Sequence, residues 1–207
     1  MASGGYLTEA QARAAIIEYC ALLWDRRLVT GTSGNISVRL ADGDLIVTPT
    51  LHSLRAVAPD ELVRTDARGT PRDPAQRATS EVPLHVAAYS VRPDIRCVIH
   101  THPTFCVVCS KLGRAFERDT VGARETLGEV AWTPYRPPGS QELAAVTSAE
   151  FARGIDVVLM ERHGLSAVAG TLEQAFVSTD LAEEAARIAF FSGLLPPGRP
   201  GDPQYPT

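Results

Sequence analysis

Two short apolar segments on either side of Asp42-Gly43 place the strongest limit on how this chain folds. Residues 36–40 alternate between apolar and polar side chains, and residues 45–47 form an apolar return segment that ends before Pro49. Alternation with a period of two is typical of a strand, and Asp-Gly suits a tight hairpin turn. The pattern predicts a β-hairpin, and therefore an antiparallel pair within the sheet.

Longer stretches with apolar residues at helical spacing predict helices over 9–27, 80–89, 103–111, 140–151 and 171–192. Continuous apolar runs predict buried strands over 96–101, 155–160 and 165–169. Thr8 and Thr171 are each followed by a glutamine three residues later, which forms a capping box, and Ser80 could cap the second helix. This loose alternation predicts an α/β protein whose sheet is antiparallel or mixed, rather than doubly wound and parallel.

The length and composition favour one large domain. A chain of 207 residues with 44% hydrophobic residues can bury a sizeable core. We expect this domain to span residues 1–195. Residues 196–207 contain five prolines and are expected to form a tail without regular structure.

The charge and the apolar segments exclude several classes of partner. The formal net charge of −4 provides no basic field for nucleic acid or an anionic membrane. No apolar segment approaches the roughly 18 residues needed to cross a bilayer, and the N-terminal segment lacks the pattern of a signal peptide. With only four cysteines, three of them in apolar runs, we expect a cytoplasmic protein with a small-molecule substrate.

His100 and His102 lie two residues apart at the end of a predicted strand, where alternation places both side chains on the same face. His163 follows another apolar strand and precedes Gly164. Three imidazoles with open positions form the ligand set of a catalytic zinc site. A His-x-His pair also occurs by chance at protein surfaces, and spacing alone does not show that residues 61 positions apart meet.

Seven collinear segments together resemble the class II aldolase and adducin head family. They are Gly31–Ser37, Thr48–Thr50, Thr79–Glu81, His100–His102, Pro134–Tyr135, Gly139–Leu143 and Glu161–Gly164. The resemblance implies a three-layer α/β/α fold with a central, mainly antiparallel sheet, usually assembled as a homotetramer.

The same resemblance implies roles for individual residues. His100, His102 and His163 match the family's metal ligands, with Zn²⁺ expected and Mn²⁺, Co²⁺ or Fe²⁺ as alternatives. Glu81 matches the family's acid and base, a role that requires its pKa to lie near neutrality. Without the resemblance, Glu81 would be interpreted as a first-turn acid favoured by the helix dipole.

The loops that match the family's phosphate-binding segments are rich in hydroxyl and amide groups. They contain Thr32, Ser33, Gly34, Asn35, Thr50, Thr79 and Ser80. Such residues are also those that ordinary turns and caps use. The resemblance favours binding of a substrate phosphate.

Two departures from the family pattern affect the expected reaction. Leu51 replaces a glycine that often follows Thr50, and His52 comes next, as in relatives that decarboxylate phosphorylated keto acids. His52 could meet a substrate anion there. The family's cleavage-assisting tyrosine would fall near Thr120 or Val121, and neither can donate as a phenol does. The family also uses a tyrosine in its tail, so the resemblance makes Tyr205 a candidate donor, with a disordered tail as the alternative.

The leading hypothesis is a metal-dependent carbon–carbon lyase, an aldolase that cleaves a small phosphorylated hydroxy-ketone through an enediolate. The alternative is a decarboxylase of a phosphorylated 3-keto acid. A sugar-phosphate epimerase, an iron-dependent oxygenase and a non-catalytic adducin-like module are more distant. Adducin-type members lack the three metal histidines. The presence of all three histidines in this chain therefore favours an enzyme.

Overall fold

A computed structural model describes residues 5–112, 118 and 120–194. The six helices within these ranges are α1 (Glu9–Asp25), α2 (Val82–Val91), α3 (Thr104–Lys111), α4 (Val121–Thr126), α5 (Gln141–Ala152) and α6 (Leu172–Ser192). The seven strands there are β1 (Asn35–Arg39), β2 (Leu45–Val47), β3 (Val63–Thr65), β4 (Cys97–Thr101), β5 (Val130–Thr133), β6 (Val157–Met160) and β7 (Gly164–Ala169).

All seven strands form one sheet in the order β3-β2-β1-β4-β7-β6-β5. Every neighbouring pair is antiparallel except β5 and β6, which are parallel. The predicted hairpin is present as β1 and β2, with Ser37 opposite Val47. The sheet is therefore mixed and mainly antiparallel, as predicted.

Helices cover both faces of the sheet. Side chains from β4, β6 and β7 alternate, so that Val98 packs towards α2 and α5 while its neighbour Ile99 packs towards α1 and α6. The helices α3 and α6 enclose a second apolar cluster on the face of Ile99. This arrangement gives the three layers implied by the resemblance.

Several local predictions need correction. The strand β3, the short helix α4 and the edge strand β5 were not predicted. Ser80 does not cap α2, because the helix begins at Val82 and its N-cap position is held by Glu81 without a side-chain cap bond. The two predicted capping boxes also differ. Thr8 forms a complete capping box at the start of α1. At the start of α6, the structure shows half of one, in which the Thr171 hydroxyl accepts a hydrogen bond from the Gln174 N–H.

Among the helices of the described ranges, none is long and apolar enough to cross a membrane. The proposed tail and its Tyr205 lie outside the described residues. The four cysteines are free and buried, and burial raises the pKa of the Cys106 thiol well above its ordinary value.

Candidate metal centre

His100 and His102 meet at the end of the central strand β4. The His100 ring is fully buried, and its Nε2 lies 2.9 Å from Nε2 of His102. His100 faces the α2 side of the sheet, as alternation from Val98 requires. The two rings meet edge to face, with centroids 4.8 Å apart.

His163 reaches the same point from the turn between β6 and β7. Its ring centroid is 4.8 Å from that of His100 and 4.9 Å from that of His102. The preceding Arg162 adopts a left-handed conformation with φ of 57°, which makes the turn tight. The structure therefore brings together three imidazoles that are far apart in the sequence.

Glu81 completes the cluster from the start of α2. Its carboxylate is buried, with Oε2 2.7 Å from His100 Nε2 and Oε1 3.2 Å from His163 Nε2. One ligand atom from each of the four residues lies within 4.8 Å of the others. Three imidazole nitrogens and one carboxylate oxygen suit a divalent ion such as Zn²⁺.

The orientation of the imidazoles supports metal binding. Nδ1 of His100 lies 2.8 Å from the carbonyl oxygen of Leu165, to which it donates. This bond leaves the lone pair of Nε2 directed at the cluster, a common arrangement for metal-bound histidine. Nδ1 of His163 is buried and has no hydrogen-bond partner among the described residues.

The charges within the cluster are strongly coupled. Burial raises the pKa of Glu81, but the adjacent His100 and His163 outweigh it and hold that pKa below its ordinary value. Burial lowers the pKa of His100, whereas the Glu81 carboxylate raises it, and the net direction is upward. Burial, with repulsion from His100 and His163, lowers the pKa of His102 to about 3. Among these four side chains alone, the pKa of Glu81 therefore moves away from neutrality, opposite to the direction that its predicted role as acid and base requires.

A cavity of about 370 Å³ opens beside the cluster. Its lining includes most of the predicted substrate-binding residues, namely Thr32, Ser33, Gly34, Asn35, Thr50, Thr79 and Ser80, together with Glu81, His102 and His163. Gly34 has φ of +81°, and a Cβ there would lie 2.5 Å from a methyl group of Val29. A side chain at Gly34 would therefore disturb the loop that forms one wall.

The structure places His52 away from this cavity. The imidazole is not among the lining side chains; its Nδ1 lies 2.9 Å from the carbonyl oxygen of Thr50 and its Nε2 lies 3.5 Å from a carboxylate oxygen of Glu61. Thr120 caps α4, where its hydroxyl accepts a bond from the Ala123 N–H. Thr120 therefore has a local structural role.

Five residues of the cavity lining were not predicted as site residues: Pro49, Leu51, Tyr135, Pro138 and Arg162. Tyr135 and Arg162 lie in segments that resemble the family. Neither residue has a spacing from other polar residues that would indicate a binding role. Arg162 directly precedes His163, a predicted metal ligand, and this adjacency was the available signal for it.

The three-layer fold and the cluster of three histidines and Glu81 define a protein with a candidate metal centre. Residues 14–190 match the model of the family described as Class II Aldolase and Adducin N-terminal domain. The chain belongs to this class II aldolase family.

Individual relatives cover nearly the whole chain. An L-fuculose phosphate aldolase of Methanococcus maripaludis is 31% identical over 86% of this chain and 96% of its own. A 3-oxo-tetronate 4-phosphate decarboxylase of Escherichia coli O6:H1 is 28% identical over 91% of this chain and 90% of its own. A solved L-fuculose 1-phosphate aldolase superimposes with a TM-score of 0.84 at 25% identity, covering 92% of this chain and 90% of that one.

Proposed function

We propose that this protein is a metal-dependent carbon–carbon lyase that cleaves a small phosphorylated hydroxy-ketone into two carbonyl products. The observation that carries the proposal is the position of the Glu81 carboxylate, 2.7 Å from His100 Nε2 within the three-histidine cluster and at the wall of the cavity. The aldolase relative from Methanococcus maripaludis supports the same reaction class.

His100, His102 and His163 would hold the metal, for which Zn²⁺ is the first candidate and Mn²⁺, Co²⁺ and Fe²⁺ are alternatives. When bound, the ion supplies positive charge for the substrate oxygens that become negative as the carbon–carbon bond breaks. The buried rings of His100 and His163 would fix where that charge lies relative to the cavity.

Glu81 would transfer the proton. Its carboxylate takes the proton from the substrate hydroxyl group as the carbon–carbon bond breaks, and the hydroxyl carbon becomes the released aldehyde. The carbon that keeps the bonding electrons then receives that proton from Glu81. Burial of Glu81 shields this transfer from bulk water.

The loop Thr32–Asn35 and the pair Thr79–Ser80 would hold the substrate phosphate. These segments border the same cavity as Glu81 and present hydroxyl, amide and backbone N–H groups. A cavity of about 370 Å³ suits a small substrate. Arg162 adds a cation at the wall, which strengthens the preference for an anion.

The second candidate is decarboxylation of a phosphorylated 3-keto acid. The decarboxylase relative from Escherichia coli and the Leu51-His52 sequence favour it. The same metal charge would stabilise the electrons left when carbon dioxide departs. His52 itself does not line the cavity, so Leu51 is the member of this pair that borders the substrate space.

A substrate panel separates the two candidates. The purified protein, loaded with Zn²⁺, would be assayed with ketose 1-phosphates, 3-keto acid phosphates and their unphosphorylated analogues, and both aldehyde and carbon dioxide would be measured. The proposal predicts aldehyde from a ketose phosphate and little from the unphosphorylated analogue. Carbon dioxide without aldehyde would replace it with the decarboxylase. Oxygen uptake with iron would replace both candidates with an oxygenase.

We also propose that the protein is cytoplasmic and forms a homotetramer, as the family resemblance implies. Light scattering of the purified protein measures the assembly directly. A mass of one 22.2 kDa chain in solution would contradict the tetramer.

A further inference from the structure

A continuous series of buried polar contacts leads away from Glu81 into the core. The Asn35 side-chain amide donates to Glu81 Oε2 at 3.2 Å, and Asn35 Oδ1 lies 2.5 Å from His85 Nε2. The other ring nitrogen of His85, Nδ1, lies 2.6 Å from the hydroxyl of Ser37. That hydroxyl lies 2.9 Å from the phenol oxygen of Tyr89.

The sheet register and the helix period place these side chains in line. Asn35 lies directly opposite His100 in the pairing of β1 with β4, so it reaches the metal cluster from the neighbouring strand. Ser37 is two residues further along β1 and faces the same side. Glu81, His85 and Tyr89 are spaced four apart at and along α2, which brings them onto one helix face.

For a neutral His85 ring, one direction of donation satisfies the whole series. The Glu81 carboxylate accepts only, so the Asn35 NH₂ must point to it and the Asn35 oxygen must point to His85. His85 must then carry its proton on Nε2 and accept at Nδ1 from Ser37. The Tyr89 hydroxyl donates to the main-chain carbonyl oxygen of Ser37, at 3.0 Å.

Within this series, His85 is the residue that determines the orientation of the Asn35 side-chain amide. If its Nε2 did not donate, the Asn35 amide could rotate and place its oxygen against the carboxylate, where two acceptors repel each other. The imidazole is fully buried, and an apolar side chain would fill such a site without the cost of burying a polar group. The polar ring is therefore best explained by its hydrogen bonds.

We propose that His85 is a positioning residue that holds the Asn35 amide with its NH₂ group towards Glu81, and thereby fixes the direction of the Glu81 carboxylate at the cavity. The role in turnover rests on the proposed function, whereas the orientation of Asn35 does not. Within the described part of the chain, His85 does not line the cavity and its hydrogen bonds go to Asn35 and Ser37, so it would reach Glu81 through Asn35.

The first test uses the unsubstituted protein. Long-range ¹H–¹⁵N NMR distinguishes the two neutral tautomers of a histidine ring and the charged form. The proposal predicts a neutral His85 ring with its proton on Nε2 at pH 7. A neutral ring with its proton on Nδ1 would leave Nε2 unable to donate to Asn35 and would overturn the proposal whatever the activity of the protein.

The second test compares three variants. His85→Leu removes both ring nitrogens, His85→Gln keeps an amide N–H near the position of Nε2, and Phe151→Leu is a matched packing control. Phe151 is fully buried in the same apolar cluster as Tyr89 but makes no contact in the polar series. Each variant would be compared by Zn²⁺ content, thermal unfolding, kcat and KM, and by the NMR signals of the Asn35 side-chain amide.

The expected result is a loss of at least tenfold in kcat for His85→Leu, with unchanged Zn²⁺ content and recovery of most of the rate in His85→Gln. The Asn35 amide signals should shift in His85→Leu alone. Equal rate losses in His85→Leu and Phe151→Leu, or unmoved Asn35 signals, would reduce His85 to a packing residue. If the parent protein turns over no substrate, the proposed function fails, while the Asn35 signals still decide the positioning role.

Discussion

Gly164 packs so closely against the backbone of Thr101 that a Cβ atom on the glycine would lie 2.1 Å from the Thr101 carbonyl oxygen. The same atom would lie 2.9 Å from Cδ2 of His102. Thr101 ends β4 and Gly164 begins β7, so this contact sets the distance between the strand end that carries His102 and the turn that carries His163. The cluster of three histidines and Glu81 therefore depends on the absence of a side chain at position 164.

Substitution Gly164→Ala should separate the two strand ends. We expect a loss of about 1–3 kcal/mol in the free energy of unfolding, as for other overpacked interior sites, and at least a tenfold weaker affinity for Zn²⁺. Calorimetry and metal titration measure the two effects. Gly128→Ala is the control, because a Cβ at Gly128 meets nothing within 4 Å. Equal metal affinity in both variants would show that the close contact does not position the ligands.

Substitution Glu81→Gln should keep the fold and the metal but remove the proton carrier. The amide is nearly the same size as the carboxylate, and the three histidines remain, so we expect Zn²⁺ content close to that of the parent. The rate should fall by at least a hundredfold, within the range ascribed to general acid–base catalysis. Steady-state kinetics with matched metal content provides the measurement. An unchanged rate would end the assignment of Glu81 as the base.

Leu51, at the position where the family pattern often has glycine, adopts a backbone conformation that glycine favours. Leu51 has φ of 60°, the left-handed region that glycine favours, and its side chain is 82% exposed at the cavity. Leu51→Gly should relieve about 1–2 kcal/mol of backbone strain, offset by about 0.5–1 kcal/mol from the flexibility of glycine in the unfolded chain. We therefore expect unfolding free energy within about 1 kcal/mol of the parent.

A control separates the conformational effect from the loss of an exposed leucine. Leu112 is 67% exposed with φ of −84°, so Leu112→Gly relieves no strain and should only destabilise. If Leu51 influences the reaction, Leu51→Gly should also raise the ratio of aldehyde to carbon dioxide produced. The free energy of unfolding of both variants would be measured in urea. Equal losses in the two variants would show that Leu51 carries no backbone strain.

His85 should make the folded state sensitive to acid. Burial, followed by repulsion from His100, lowers the pKa of His85 from 6.5 to about 3. Below pH 6.5 the unfolded chain therefore binds a proton that the folded chain does not, so stability falls as the pH decreases from about 6.5 towards 3. The slope for one such proton is at most about 1.4 kcal/mol per pH unit.

Substitution His85→Gln removes this contribution. The free energy of unfolding of the variant, relative to the parent, should therefore rise steadily as the pH is lowered from 7 to 5. Urea unfolding at several pH values measures it, and taking the difference cancels the groups that both proteins share. A difference that does not depend on pH would show that His85 does not stay neutral in the folded protein.

The strongest periodic segments of the fold could be predicted from the sequence, whereas the shortest could not. The hairpin around Asp42-Gly43 and the long helices have turn, capping or apolar signals that act locally. The strands β3 and β5 contain only three and four residues, too few for a clear period. The parallel pairing of β5 with β6 depends on the crossover through α5, which no local signal shows.

The candidate site was predictable only in part. The side chains of His100 and His102 share a strand end, but their meeting with His163 is a tertiary event that only the family resemblance indicated. The polar series behind Glu81 had a usable signal, since Glu81 and His85 are four residues apart on one helix face. Its partner Asn35 is 50 residues from His85, and only the register of β1 with β4 brings the two together.

X-ray absorption at the zinc edge, combined with metal counting on the parent protein and on His163→Ala, tests the central claim most directly. The structure predicts one divalent ion per chain in the parent, bound by three imidazole nitrogens at about 2.0–2.1 Å. The His163→Ala variant should hold that ion weakly or not at all. A parent protein without a stoichiometric ion, or a variant with the same occupancy and the same three nitrogen ligands, would contradict the convergence of these histidines on one metal.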